Sequence, residues 1–167
     1  MASDLLAELE LPHSGIEHLE ELVGPPSFFE DDGQDSRAGT DDLWYFQAEI
    51  ALRKLLNRVS NLIYAKAQPI TSTAALDPVV AELDLQLQEW YNQLPAPVKF
   101  DHGTVPPPAA VQTVLRLRYF ACRTIIFRPY VLAVLIKESA FMDTSVQENC
   151  RKCLEACIRQ LEHITAQ

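Results

Sequence analysis

The sequence predicts an all-α protein, and three observations carry that prediction. No stretch alternates apolar and polar residues with period two for long enough to make a strand. Apolar residues recur instead at spacings of three and four from residue 42 almost to the C-terminus. Prolines and candidate caps punctuate that pattern at helix-sized intervals, giving about five helices in an irregular, largely antiparallel bundle joined in part by a Pro-rich connector.

The first helix spans residues 42–67. Phe46, Ile50, Leu52, Leu55, Val59, Leu62 and Ile63 form its stripe, Arg53, Lys54 and Arg58 lie between them, and Pro69 follows as a stop. A second helix starts where Asp77 can cap and Pro78 can occupy the first helical position. Val80, Leu83, Leu87, Trp90, Tyr91 and Leu94 make its apolar face, and Pro95 and Pro97 end it. Five prolines within residues 95–108 require an extended connector. Residues 109–127 are apolar around most of the helix circumference, which places this third helix at the centre of the bundle. Pro129 lacks an N–H donor and disfavours helical geometry at Arg128, so a kink or break is expected there, followed by a short apolar segment over 130–136. Ser145 with Glu148 reads as a capping box for the last helix, whose stripe includes Val146, Cys150, Cys153, Leu154, Cys157, Ile158, Leu161 and Ile164.

Charge divides the chain in two. The 167 residues carry a net charge of −9 with 48% hydrophobic residues, ordinary for a soluble domain able to bury a core without disulfide or metal staples. Residues 1–42 contribute −11 and the remainder +2. Residues 1–41 therefore read as an acidic, mostly extended leader, and residues 42–167 as a helical domain. Within the leader, 30–40 is polar and reads as a surface loop, while Leu5, Leu6, Leu9 and Leu11 are apolar enough to dock on something. Solvation is the favoured role of the acidic run over an interaction tail. An acidic total argues against nucleic-acid binding, which draws its affinity from Lys and Arg. The longest uninterrupted apolar run, 130–136, is far short of the ~20 residues of a membrane span, and residues 1–11 lack the pattern of a secretory signal. A nuclear or cytoplasmic location with reduced thiols is expected, and no membrane partner.

Candidate chemistry is sparse. Cys150, Cys153 and Cys157, with His163 beyond them, are the one cluster of metal-ligand residue types, but the cysteines share a helical stripe with Val146 and Leu161. Structural burial as small apolar residues is favoured over a metal or redox role. His13, His18, His102 and His163 are scattered, and neither a Gly-x-Ser-x-Gly nor a Gly-rich phosphate loop occurs. No catalytic residue, metal or cofactor is assigned to the chain. Arg116, Arg118, Arg123 and Arg128 sit on the most apolar helix, and the favoured reading has them snorkel outward to pair with acids rather than track a phosphate backbone.

Residues 82–95 (ELDLQLQEWYNQLP), 115–129 (LRLRYFACRTIIFRP) and 150–157 (CRKCLEAC), in that order, resemble the regulatory domain of fungal transcription factors of the zinc binuclear cluster type. Residues 4–16 (DLLAELELPHSGI) also resemble the segment preceding those helices. The resemblance implies the C-terminal part of a helical middle homology module in a nuclear regulator of RNA polymerase II transcription. In that family a separate six-cysteine cluster holds two zinc ions and contacts DNA. Its spacing is absent from these residues, so neither zinc nor direct DNA contact is carried over.

The resulting expectation is a non-enzymatic regulatory domain, acting by protein contacts with transcriptional machinery or co-regulators, by self-association or by effector sensing. An effector pocket would be sought among Trp90, Tyr91, Tyr119, Phe120, Phe127 and Tyr130, although filling the core is the favoured role of these rings. Arg128, Pro129, Cys150, Cys153 and Cys157 are read as structural, with Arg128 held by a carboxylate or by carbonyls freed at Pro129. The rivals are a stand-alone helical adaptor or dimerisation module, and a small helical enzyme or metal protein using Cys150, Cys153, Cys157 and His163. Measured against the resembled module the chain is only a part, so exposed apolar surface is expected.

Overall fold

A computed structural model of the chain describes residues 36–64, 73–105 and 107–166. Four α-helices account for most of them: α1 (Ser36–Val59), α2 (Asp77–Gln93), α3 (Ala110–Ile136) and α4 (Thr144–Thr165). A π-helical turn, Ser60–Tyr64, extends α1, and 3-10 turns occupy Thr73–Ala75 and Glu138–Met142. There is no strand among the described residues, so the fold is all-α as expected.

Side-chain partners give the topology. Trp90 Nε1 donates to the Ala48 carbonyl at 3.0 Å and Arg58 donates to Gln86, so α2 runs antiparallel to α1. Asp84 meets Arg123 and Asp77 meets Tyr130, which sets α3 antiparallel to α2. Arg116 meets His163 and Thr124 meets Cys157, which sets α4 antiparallel to α3. The described helices form an up-down-up-down bundle, and α3 packs on each of the other three, most extensively on α4. Its buried residues, among them Leu115, Tyr119, Cys122, Ile126 and Tyr130, spread over several faces because neighbours lie on several sides.

Four sequence expectations about helix ends are corrected. α1 begins at Ser36, inside the segment read as loop, because extending a helix already nucleated downstream needs no apolar stripe of its own. Asp77 makes no cap hydrogen bond. Its carboxylate accepts instead from Tyr130 at 2.6 Å and from Ser145 at 3.4 Å, tying the start of α2 to α3 and α4. No capping box forms at Ser145 either. Asp143 is the N-cap of α4, accepting from the Ser145 N–H at 2.8 Å, while Glu148 pairs with Arg151.

The largest correction concerns Pro129. No break occurs, and α3 continues through it to Ile136, absorbing the segment read as separate. A proline inside a helix removes one N–H and costs about 3 kcal/mol or more, leaving the carbonyl four residues back without a donor. That carbonyl belongs to Ile125, and the Tyr64 hydroxyl donates to it at 2.6 Å. Buried Ile126, Phe127 and Tyr130 hold both sides of the proline against the core. Pro69 and the leader residues Leu5, Leu6, Leu9 and Leu11 lie outside the described residues.

By length and composition α3 could cross a membrane. Here it is the core helix of the bundle. Charged residues interrupt its apolar runs, so the sequence reading found no span-length segment.

Candidate functional site

The interior holds a cluster of rings. Trp90 stacks near Tyr119 at 6.4 Å between ring centres, Tyr91 lies 5.1 Å from Phe100, and Tyr119 and Phe120 meet edge to face at 5.3 Å. His102, from the connector, stacks on Tyr119 at 4.8 Å. The connector, expected to be extended, instead starts with a turn over 96–98, in which the Val98 and Lys99 N–H groups donate to the Pro95 carbonyl at 3.1 and 2.9 Å. It carries the chain back across α2, where the Tyr91 hydroxyl donates to the Phe100 carbonyl at 2.8 Å. Of the six aromatics considered for a pocket, the structure brings Trp90, Tyr91, Tyr119 and Phe120 together and sets Phe127 and Tyr130 elsewhere in the core. Burial pushes the Tyr119 hydroxyl up, and burial together with the Asp77 carboxylate pushes Tyr130 up. Both phenols are neutral at physiological pH, and Tyr130 donates to Asp77.

Arginine placement separates two behaviours. Arg118 pairs with Glu49 of α1 at 2.8 Å and Arg123 with Asp84 of α2 at 3.6 Å, the outward pairing the sequence suggests. Arg116 behaves differently. It is 1% exposed, and it donates to the carbonyls of Asp101 at 3.2 Å and Val105 at 2.7 Å and to Nδ1 of His163. It thus clamps the connector and the end of α4 to α3, using neutral acceptors to solvate a buried cation. Burial and the neighbouring Arg116 hold His163 below the usual imidazole range, so it stays neutral and accepts. Arg128 lies 5.0 Å from the Tyr64 ring centre, so the tyrosine that takes the freed carbonyl also receives the cation.

The thiols line the inner face of α4. Cys150 and Cys153 are buried against α3, and Cys153 donates to the Thr124 carbonyl at 3.6 Å. Burial raises the Cys150 thiol, and burial first, then Cys157, pushes Cys153 up to about 12, far from a reactive thiolate. Cys157 is half-buried beside Thr124. Among the described residues no group of three or more His, Cys, Asp or Glu is arranged to hold a metal ion. The inner face is completed by Ala156, which the sequence reading passed over, and by His163, which it considered only as a metal-ligand type and not as part of the buried face. Seven-residue spacing from Ala156 to His163, continuing Val146, Cys150 and Cys153, was the available signal.

The outer face of α4 holds what the sequence assigned to the core. Leu154, Ile158 and Leu161 are 55, 56 and 61% exposed. Leu154 and Ile158, with Phe141, border an open groove of about 480 Å³, rimmed by Arg151, Glu155, Arg159 and Glu162. The stripe was too wide for one neighbour. α3 covers only the cysteine side, so the leucine side faces out. Leu135 and Ile136 at the end of α3 and Met142 are also exposed, in keeping with the apolar surface expected of the chain.

A protein of Aspergillus rugulosus named as a transcription factor, ecdB, is 29% identical over 132 residues, covering 72% of this chain. The chain spans 23% of that protein's length. This likeness supports a relationship to a fungal transcription factor. No family model and no solved structure matches the chain.

Proposed function

We propose that this chain is a regulatory helical module of a fungal transcription factor, working in the nucleus through contacts with transcriptional machinery or co-regulators and not through DNA. The carrying observation is the outward apolar face of α4 on a body whose α3 arginines are already engaged. Arg116 is buried, Arg118 and Arg123 pair with acids of neighbouring helices, and Arg128 sits over Tyr64. Phosphate tracking needs an array of free cations, whereas Leu154, Ile158 and Leu161 suit an apolar protein contact. The likeness to a protein named as a transcription factor makes regulation of transcription the setting, and a regulator rather than an enzyme the reading. In this reading the family's zinc ions belong to a different unit of the factor, and these residues need no cofactor.

Tethering the chain to a heterologous DNA-binding domain upstream of a reporter tests the reading. A several-fold change in transcription is expected, reduced by Ile158→Glu. Reporter output equal to that of the DNA-binding domain alone would overturn it, as would sequence-specific retention of duplex DNA by the isolated chain at physiological salt.

A further inference from the structure

Arg116 is a buried cation without a counter-charge. It is 1% exposed, and every group it donates to is neutral: the Asp101 and Val105 carbonyls at 3.2 and 2.7 Å, both through Nη1, and Nδ1 of His163. No carboxylate pairs with it among the described residues, whereas Arg118 and Arg123 on the same helix each have one. The Asp101 carboxylate accepts instead from the Gly103 N–H at 3.0 Å. Buried charges are ordinarily paired, because neutral dipoles offset only part of the cost of desolvation. Two of the three acceptors on Arg116 belong to the connector, whose residues 101–105 form neither helix nor strand, with Val105 76% exposed.

The same stretch inserts a ring into the aromatic cluster. His102 lies 4.2 Å from Tyr91, 4.8 Å from Tyr119 and 5.7 Å from Phe120 between ring centres. Ring contact seats it, and its Nε2 is buried without a hydrogen-bond partner among the described residues. The surroundings are positive as well as aromatic. Burial first, then Arg123, keeps His102 uncharged, with Lys99 and Arg116 acting in the same direction and Asp101 against them. One surface stretch therefore fills an aromatic nest with a flat ring and covers an unneutralised guanidinium with carbonyls. An aromatic carboxylate offers the same two groups together with the charge that the connector does not supply. Its ring replaces His102 against Tyr91, Tyr119 and Phe120, and its oxygens take the Nη1 donors now directed at Asp101 and Val105. The Asp101 carbonyl and the His102 ring are neighbours in sequence, a spacing matched by an acid one or two bonds from a ring.

We propose that residues 101–105 plug a binding site for a small aromatic carboxylate, with Arg116 as the anion anchor and Tyr91, Tyr119 and Phe120 as its walls. The site goes beyond the protein contact assigned to α4 and does not depend on it. Isothermal titration of the full chain with phenylacetate tests it, against 2-phenylethanol, which keeps the ring without the charge, and acetate, which keeps the charge without the ring. Saturable one-to-one binding of phenylacetate is expected, at least about 10-fold tighter than either control, the worth of about 1.4 kcal/mol. His102→Ala removes the ring of the plug and leaves Arg116 and the walls in place. It should tighten binding by roughly 2- to 10-fold, the range of one stacked ring pair. Arg116→Gln should abolish binding, with far-ultraviolet circular dichroism as the check on its fold. Absence of binding in His102→Ala overturns the proposal. So does an affinity that His102→Ala leaves unchanged or weakens, one that either control matches, or one that survives in folded Arg116→Gln. Should Arg116→Gln unfold, His102→Ala and the two controls decide.

Discussion

The two sides of α3 are stabilised by different means. Toward α1 and α2 it meets large rings, two charge pairs and a hydrogen bond that cross between helices: Glu49 with Arg118, Asp84 with Arg123, and the Tyr64 hydroxyl with the Ile125 carbonyl. Toward α4 it meets small thiols and Ala156, with Arg116 and His163 as the polar clamp at the far end. On α4 the ion pairs, Arg151 with Glu148 and Glu155 and Arg159 with Glu162, stay within the helix. Cross-helix pairs set register and consume surface. A helix that neutralises its own charges keeps a free face, and α4 has one.

The comparison breaks most sharply at Arg116. Arg116→Ala strands His163 and the carbonyls of Asp101 and Val105 together, and each buried acceptor left without its donor costs about 1–3 kcal/mol. Urea unfolding checks this, with α4 and the connector released together. A loss below about 1 kcal/mol would show that the α4 side does not depend on the clamp.

Tyr64→Phe probes the opposite side. It leaves the Ile125 carbonyl unpaired beside Pro129 and should cost about 1–3 kcal/mol. Pro129→Ala restores a donor to that carbonyl, so in this background the same substitution should cost clearly less. A double-mutant cycle reads the difference directly, and additive effects would refute the link.

Acid should weaken both sides. His102 and His163 are held below the ordinary imidazole value of 6.5, each by burial first, then by Arg123 for His102 and Arg116 for His163. The unfolded chain then binds protons more readily than the folded one as pH falls below about 6.5, so stability is lost in that direction by up to about 1.4 kcal/mol per pH unit for each histidine. Denaturant midpoints between pH 7 and 5 give the slope. His163→Gln should flatten it even though Glu162 and Arg159 stand nearby with opposing effects.

The smallest effect belongs to the outer face. Arg151→Ala removes pairs to Glu148 and Glu155 on an exposed helix surface and should leave the urea midpoint unchanged. A lowered midpoint would mean that this face is covered in solution.

Much of the bundle was legible because helix periodicity and proline punctuation are local. The 3.6-residue pattern with its flanking prolines placed α2 to within a residue, and the pattern alone put α3 at the centre. Helix ends were less legible, since a candidate cap such as Asp77 or Ser145 has several possible partners, and distant Tyr130 claimed Asp77. Trp90, Tyr91, Tyr119 and Phe120 were recognisable as a set. Their clustering with His102 and Phe100 depended on the path of the connector.

What the sequence by itself determined was the class of fold, the segregation of acidity into the first quarter and the amphipathic character of α4. These follow from composition and spacing, which do not depend on neighbours. Only the tertiary structure decided that α3 passes through Pro129, that Arg116 is buried, and that Leu154, Ile158 and Leu161 face outward. The reason is common to all three. A carbonyl, a cation or an apolar stripe is settled by what packs against it, and Tyr64, the connector carbonyls and α3 itself reach those places from distant parts of the chain.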